Sequence, residues 1–205
     1  SVDELRERQN EDKLKLTNAN KLGLLYYEDI LERIPRKEID EYEELLNTIF
    51  EKITTEGSNM KIVGSYRRGL PTSGDIDIII SHDECSINDE DKDILKQDTF
   101  DRFINILEQL GIIVGNLTPD GKTKQLVLAK IPNSDKVRRV DFLWTYVEEY
   151  PFSILYFTGS WNFNVIQRDR AREKNMTLCE HGIYHLTNNG KKGKRVDHIF
   201  KSEKD

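Results

Sequence analysis

Residues 60–81, MKIVGSYRRGLPTSGDIDIIIS, change the period of the chain and decide its fold class. Met60–Ser65 and Asp75–Ser81 read as strands, joined by the Gly- and Arg-rich link Gly64–Gly74. On a strand, positions i and i+2 share a face, so the carboxylates of Asp75 and Asp77 project together. Two such acids repel unless cations neutralise them, and hard divalent ions such as Mg2+ take oxygen ligands. Ile76, Ile78, Ile79 and Ile80 read as buried-strand residues, which puts the pair at the end of a rigid element. A third carboxylate, Asp141, lies in Arg139-Val140-Asp141-Phe142, a second apolar strand, where an acid is costly unless paired or metal-bound. Three strand-borne carboxylates are the donor set of a two-metal phosphoryl-transfer site. Taken alone, D-x-D also describes a solvent-facing pair on an edge strand. The element ahead of it shifts the balance: Gly64-Ser65 after a strand, then Arg67-Arg68, then Ser73-Gly74 running into Asp75. Glycine lets backbone N–H groups approach phosphate oxygens, serine adds hydroxyl donors and arginine adds a charge-assisted fork.

Outward from this stretch, residues 1 to about 55 read as helical. Leu22, Leu25, Tyr26, Asp29 and Ile30 recur at helix spacing until Ile34-Pro35 breaks the run. A second helix after Pro35 carries Ile39, Tyr42, Leu45, Leu46 and Ile49 on one face and closes at Gly57-Ser58-Asn59. Downstream, Asp83–Lys92 is a polar loop and Asp93–Leu110 an amphipathic helix. Ile112–Gly115, Lys124–Lys130 and Lys136–Thr145 follow as strands, with Pro119-Asp120-Gly121 as a turn between the first two. Beyond Pro151, two helices flank Thr158-Gly159-Ser160, and the tail holds a strand-like Ile183–Leu186 and a turn at Asn188-Asn189-Gly190. Strands and helices mix without strict βαβ alternation, which argues α+β rather than a doubly wound sheet.

A chain of 205 residues with 37% hydrophobic and 33% charged residues excludes collagen-like and low-complexity classes. A mean hydropathy of -0.65 and short apolar runs argue against a membrane-spanning helix, and no secretory signal opens the sequence. Two distant cysteines, Cys85 and Cys179, argue for a reducing compartment. The net charge of -6 votes against a nucleic-acid partner, but the charge is segregated. Acid gathers in Glu38–Glu44 and Asp83–Asp93, base in Arg67-Arg68, Lys136–Arg139, Arg168–Lys174 and Lys191–Arg195. Each run alone fits a solvated face; together they fit a basic groove on a soluble body.

Gly64-Ser65, Asp75-x-Asp77 and the later Asp141 resemble the nucleotidyltransferase signature of family X DNA polymerases, the DNA polymerase beta-like group. Glu11–Leu14, Gly23-Leu24-x-Tyr26-Tyr27, Arg33-Ile34-Pro35-Arg36, Gly64–Gly69, Ser73–Asp77, Arg138–Asp141 and Tyr156–Ser160 extend the resemblance over nearly the whole chain. It implies an α+β nucleotidyltransferase palm with a mixed β-sheet, preceded by a helical DNA-binding segment and followed by a small α/β thumb. The boundaries expected are 1–57, 58–148 and 149–205. It further implies that Asp75 and Asp77 ligate both of two Mg2+ ions, with Mn2+ able to substitute. Asp141 would hold the catalytic ion and help deprotonate a primer 3′-hydroxyl, with Arg139 beside it near the primer terminus. Gly64, Ser65, Arg68, Ser73 and Gly74 would meet the phosphates of a deoxynucleoside triphosphate. Tyr156 and Phe157 would lie against the sugar, Gly159 would form a cis bond to Ser160, Asn164 would meet the base's minor-groove edge, and Arg168 the template. Asn164, Arg168 and Arg172 also fall on one helical stripe by spacing alone. Trp161 fits either a stacking aromatic for a base or sugar, or a core or surface aromatic.

Departures accompany the likeness. Where DNA polymerase beta has an Arg that helps switch it between open and closed states, partly through the acid matching Glu180, this chain has Leu143, so closure is gated differently. The front matches only the tail of the helix-hairpin-helix module, and deoxyribose-phosphate lyase activity is not supported by these residues. The ending at Phe200–Asp205 fits a fragment or a compact member of the kind some viruses encode. Cys179, His181 and His185 offer at most three ligands, so no zinc site is expected there. Lys191–Arg195 reads as a solvated hairpin tip, with DNA phosphate contact as the alternative. The function expected is gap-filling DNA synthesis on gapped or primer-template DNA by a monomer, in base-excision or related repair, at an intracellular site such as the nucleus or a viral site of repair and not on a membrane. The alternatives are a template-independent terminal transferase and a fragment acting mainly in DNA binding. Tyr156-Phe157 in place of Gly-Trp and the lack of a long insertion before the thumb favour the templated reaction.

Overall fold

The computed structural model describes residues 1–10, 15–118, 121, 123–132 and 134–205. Glu11–Leu14 of the family resemblance, and Pro119 and Asp120 of the expected turn, lie outside the described residues. The chain opens with helices α1 (Val2–Asn10), α2 (Asn18–Leu25) and α3 (Tyr27–Leu31). Thr17 caps α2 by accepting from the Asn20 amide at 3.2 Å. The apolar run from Leu22 to Ile30, read as one helix, is two, because the Tyr26 backbone (φ -106°, ψ 24°) leaves the helical region between them. The bend turns Asp29 toward the sheet, where its carboxylate accepts from the Val137 amide at 3.1 Å.

Ile34-Pro35 does more than break a helix. As β1 (Ile34–Pro35) it pairs antiparallel with β3 (Thr72–Ser73), so the proline sits on a two-stranded edge where its missing N–H costs nothing. Helix α4 (Arg36–Ile53) follows and buries Ile39, Tyr42, Leu46 and Phe50 at i+3 and i+4 steps.

Strands β2 (Ser58–Ile62), β4 (Ile76–His82), β5 (Ile113–Asn116), β6 (Lys124–Ala129) and β7 (Arg138–Trp144) form one sheet in the order β2-β4-β7-β6-β5. The β4–β7 pair is parallel and the other pairs are antiparallel. The first predicted strand stops at Ile62 rather than Ser65, because Gly64 takes φ +62° and opens the short helix α5 (Gly64–Arg67). Between β4 and β5, α6 (Lys92–Lys96) runs through a π-helical turn at Gln97–Asp101 into α7 (Arg102–Gln109), over the span predicted for one amphipathic helix. The wider π turn brings Lys96 and Asp101, five apart, to 2.8 Å.

Strand alternation then sorts the sheet's two faces. Ile76, Ile78, Ile80, Val140, Phe142 and Trp144 face α4 and α7 in the main core. There Phe103 meets Phe50 and Phe142 edge-on, at centroid distances of 5.1 and 5.9 Å. The alternate residues Asp77, Ile79, Asp141 and Leu143 face the other way. Ile79 and Leu143 are covered there by Val63 and by Ile154 of α8 (Tyr150–Thr158).

After α8 come α9 (Trp161–Glu173) and a three-stranded sheet of β8 (Met176–Cys179), β9 (Gly182–Leu186) and β10 (Lys192–Arg195), in the order β10-β9-β8. Two of these strands were not predicted. The segment read as a hairpin tip is instead the edge strand β10, and the turn is Asn188–Gly190. Lysines on an edge blunt further pairing, and Lys192 lies over the Tyr184 ring at 3.6 Å. Among the described residues, no helix is long and apolar enough to cross a membrane.

Candidate active site

The parallel register of β4 and β7 sets Asp77 directly opposite Asp141, and Asp75 precedes β4 on the same face. Oxygen atoms of all three carboxylates lie within 4.8 Å of one another. Asp141 is buried, and burial in the apolar strand raises its proton affinity, with Arg139 and Lys124 opposing. Burial, together with the neighbouring Asp141 charge, pushes the Asp77 carboxyl up to about 6.

Arg139 is the cation nearest at hand. Its Nη2 pairs with Asp75 Oδ2, and its Nε lies 3.4 Å from Asp141 Oδ1. That second approach is too poorly directed for a hydrogen bond, and both atoms are buried without a partner among the described residues. A carboxylate oxygen desolvated and left unbonded costs free energy that a bound cation recovers. Three convergent oxygen donors, two of them with raised proton affinity, suit a hard divalent cation.

Beside the acids, Gly64 packs its backbone on Asp77. A Cβ at Gly64 would stand 2.5 Å from Asp77 Oδ2, so both the positive φ and the close approach demand glycine. Ser65 and Ser73 share a hydrogen bond at 2.7 Å, made possible by the β1–β3 pairing that holds Ser73. Gly74 follows with its backbone exposed, under the Arg33 guanidinium. Arg68 is exposed and donates to the Thr158 carbonyl at 2.6 Å, while Arg67 bonds the Thr158 hydroxyl at 2.7 Å and Glu203 at 2.8 Å. The end of α8 is thereby held against α5. The Gly159–Ser160 bond is cis, as the resemblance implies.

Asn164, one turn into α9, donates to the Tyr156 carbonyl at 2.7 Å, and the Tyr156 and Phe157 rings meet edge-on at 5.1 Å. Trp161 is 78% exposed, which removes the core reading and leaves an exposed aromatic. Arg168 is exposed further along the same helix.

Three residues at or beside the site were not picked out from the sequence. Lys124 opens β6 and lowers the proton affinity of both Asp77 and Asp141; strand pairing with β7 puts it there, and sequence spacing does not reveal that pairing. Arg67, grouped in the sequence with Arg68 in the link before Asp75 but not singled out as a site residue, belongs to the α8 clamp. Arg138 is buried and forms a two-point ion pair with Glu38 of α4 at 2.7 and 2.8 Å, tying the helical segment to β7.

A mixed sheet carrying three acids on one face, a glycine-serine turn against them and an α/β unit clamped alongside together define a nucleotidyltransferase-type palm and thumb. Comparison with known families agrees: the model of the DNA polymerase beta palm matches residues 33–147 and that of the DNA polymerase beta thumb matches residues 153–205. The chain therefore belongs to the DNA polymerase beta family, family X. It is 33% identical to DNA polymerase lambda of Arabidopsis thaliana over 202 residues and 31% identical to DNA polymerase lambda of Rattus norvegicus over 173 residues. It is 32% identical to DNA nucleotidylexotransferase of Xenopus laevis over 233 residues. These matches cover 93%, 82% and 96% of this chain, which spans only 36%, 29% and 44% of those relatives' lengths.

Proposed function

We propose that the protein is a DNA-directed DNA polymerase that adds a deoxynucleotide to a primer 3′-hydroxyl on gapped DNA. The observation that carries this reading is the meeting of Asp75, Asp77 and Asp141 beside the Gly64 turn. The three acids would hold two Mg2+ ions, or Mn2+ in their place, which acidify the attacking hydroxyl and neutralise the triphosphate. In this reading Asp141 Oδ1, which is buried and has no hydrogen-bond partner among the described residues, would take the hydroxyl proton. The 3′ oxygen then bonds to the α-phosphorus as its bond to the bridging oxygen breaks, and pyrophosphate leaves. Gly64, Ser65, Arg68, Ser73 and Gly74 hold the phosphates through amides, hydroxyls and a guanidinium. Arg139, paired with Asp75 here, would be free to face the primer terminus once the acids hold the ions. Tyr156, Phe157 and Gly159 line the sugar, Asn164 reads the base edge with Trp161 beside it, and Arg168 meets the template.

In this reading residues 1–57 form the DNA-binding helical segment, 58–148 the palm and 149–205 the thumb, with α4 packed on the palm sheet. The protein works as a monomer in DNA repair, in a reducing intracellular compartment, where Cys85 and Cys179 stay free thiols. A second reading, template-independent addition, draws on the likeness to DNA nucleotidylexotransferase. Tyr156-Phe157 and the short connection before the thumb at residues 145–149 favour templated synthesis. Primer extension on a one-nucleotide gap separates the two. The proposal expects incorporation of the templated nucleotide, dependent on Mg2+, and loss of extension in Asp141→Ala with DNA binding kept. Extension of a single strand without template supports the second reading, and no extension on any substrate overturns both.

A further inference from the structure

A groove of about 480 Å3 lies between the end of β4, the start of α8 and the tail Ile199–Lys201. Val147, Ile199 and Phe200 give it apolar walls, Asp83 and Glu148 add carboxylates, and Lys201 adds a cation. Val147 is 40% exposed and Ile199 81%, so the apolar lining is open to solvent. The groove is held in shape. Phe200 packs edge-on against Phe152 at 4.8 Å and against the His198 ring at 4.6 Å, and Glu203 ties the tail to Arg67 at two points. An open apolar groove set among charged residues marks a place where another molecule binds.

The surrounding charge selects the kind of molecule. Residues 83–101 hold eight carboxylates against two lysines, which accounts for the whole net charge of -6. Both lysines are engaged within the stretch: Lys92 donates to the Ile87 carbonyl at 2.9 Å, and Lys96 pairs with Asp101 at 2.8 Å. Glu84, Glu90 and Asp91 are exposed. This acidic loop is bonded to the groove wall. The Val147 amide donates to the Cys85 carbonyl at 3.1 Å, and Glu148 accepts from the Ser86 hydroxyl and the Ile87 amide. Asp83 follows Asp77 by six residues, about 20 Å along a strand, so the groove stands well away from the catalytic acids. Its sign repels phosphate and attracts cations.

We infer that this groove docks a basic segment of a partner protein. One aliphatic side chain of the segment seats against Val147, Ile199 and Phe200, and its lysines and arginines face Asp83, Glu84, Glu90 and Asp91. The inference goes beyond the polymerase reading and does not rest on it. A partner held here leaves the face of Asp75, Asp77 and Asp141 open.

Fluorescence anisotropy with three short labelled peptides tests this. The first is built of lysine and arginine around a central leucine, the second has serine in place of the leucine, and the third keeps the leucine among glutamates. The leucine-centred basic peptide is expected to bind about 10-fold or more tightly than the serine peptide, and the acidic peptide not at all. Ile199→Asp removes the advantage of leucine, and its exposed position leaves the fold and primer extension unchanged. The triple variant Glu84→Lys, Glu90→Lys, Asp91→Lys weakens both basic peptides and flattens their salt dependence. Equal binding of the leucine and serine peptides, or leucine-dependent binding that survives Ile199→Asp, overturns the inference. So does a concentration-dependent dimer in sedimentation that Ile199→Asp abolishes, because the groove then belongs to a second copy of the chain.

Discussion

Asp77 binds a proton more tightly in the fold than an ordinary aspartate does, and that proton competes with a cation for its oxygens. Its carboxyl, at about 6 in the fold, has a value near 3.9 in the unfolded chain. The folded state thus binds the proton more tightly, so this group's contribution to stability is full below about pH 4 and is lost as pH rises through 6. Above pH 6 the metal-free protein carries a penalty, and Asp77→Asn is expected to stabilise it by about 1–2 kcal/mol at pH 8 and by almost nothing at pH 4. Urea denaturation in a chelator at the two values checks this; a destabilised Asp77→Asn at pH 8 would contradict it. Metal affinity runs the other way, falling about tenfold per pH unit below 6 as the proton competes for the oxygen. At this scale the sequence was informative. The acids that cluster and the glycine packed against Asp77 were legible because each sits in a short motif whose chemistry is local. The burial that shifts Asp77 was not legible, because it comes from strands distant in the chain.

Leu143 shows what an element does that its residues alone do not announce. In the sequence it stands where the family resemblance implies an arginine. In the fold it closes an apolar cluster with Ile79, Val63 and Ile154, which seats α8 on the sheet just beyond the acids. Across the same joint the polar contact pairs the Thr145 and Ser153 hydroxyls at 2.9 Å, while Ser153 also donates to the Glu180 carbonyl of the β8–β9 turn at 2.9 Å. Leu143→Ala is expected to cost about 2–4 kcal/mol, read as a lower denaturation midpoint with an unchanged slope. A change under 1 kcal/mol would mean that α8 is seated by the polar contacts instead. Elements with strong periodicity, α4, β4 and β7, could be read from the sequence. The break at Tyr26 and the strands β8 and β10 could not. Their residues are half-buried or charged, and tertiary pairing rather than local pattern makes them strands.

Over the whole molecule, a net charge of -6 coexists with exposed arginines along α9, at Arg168, Arg170 and Arg172. Binding to gapped DNA is expected to weaken steeply with salt despite the acidic total, and Arg168→Ala is expected to lower the slope of log K against log salt by about 1. Binding isotherms at several salt concentrations test this, and a flat dependence would place the DNA elsewhere. The arrangement of strands was the part least open to sequence reading. Asp77 and Asp141 are neighbours only because β4 and β7 pair in parallel across a connection that holds two other strands, and no spacing in the chain encodes that register. The most direct measurement is therefore anomalous diffraction from crystals soaked in Mn2+ with a deoxynucleoside triphosphate. The account predicts manganese density bridging Asp75, Asp77 and Asp141, with Arg139 turned away from Asp75. Manganese bound elsewhere, with Arg139 still closing the acids, would contradict it.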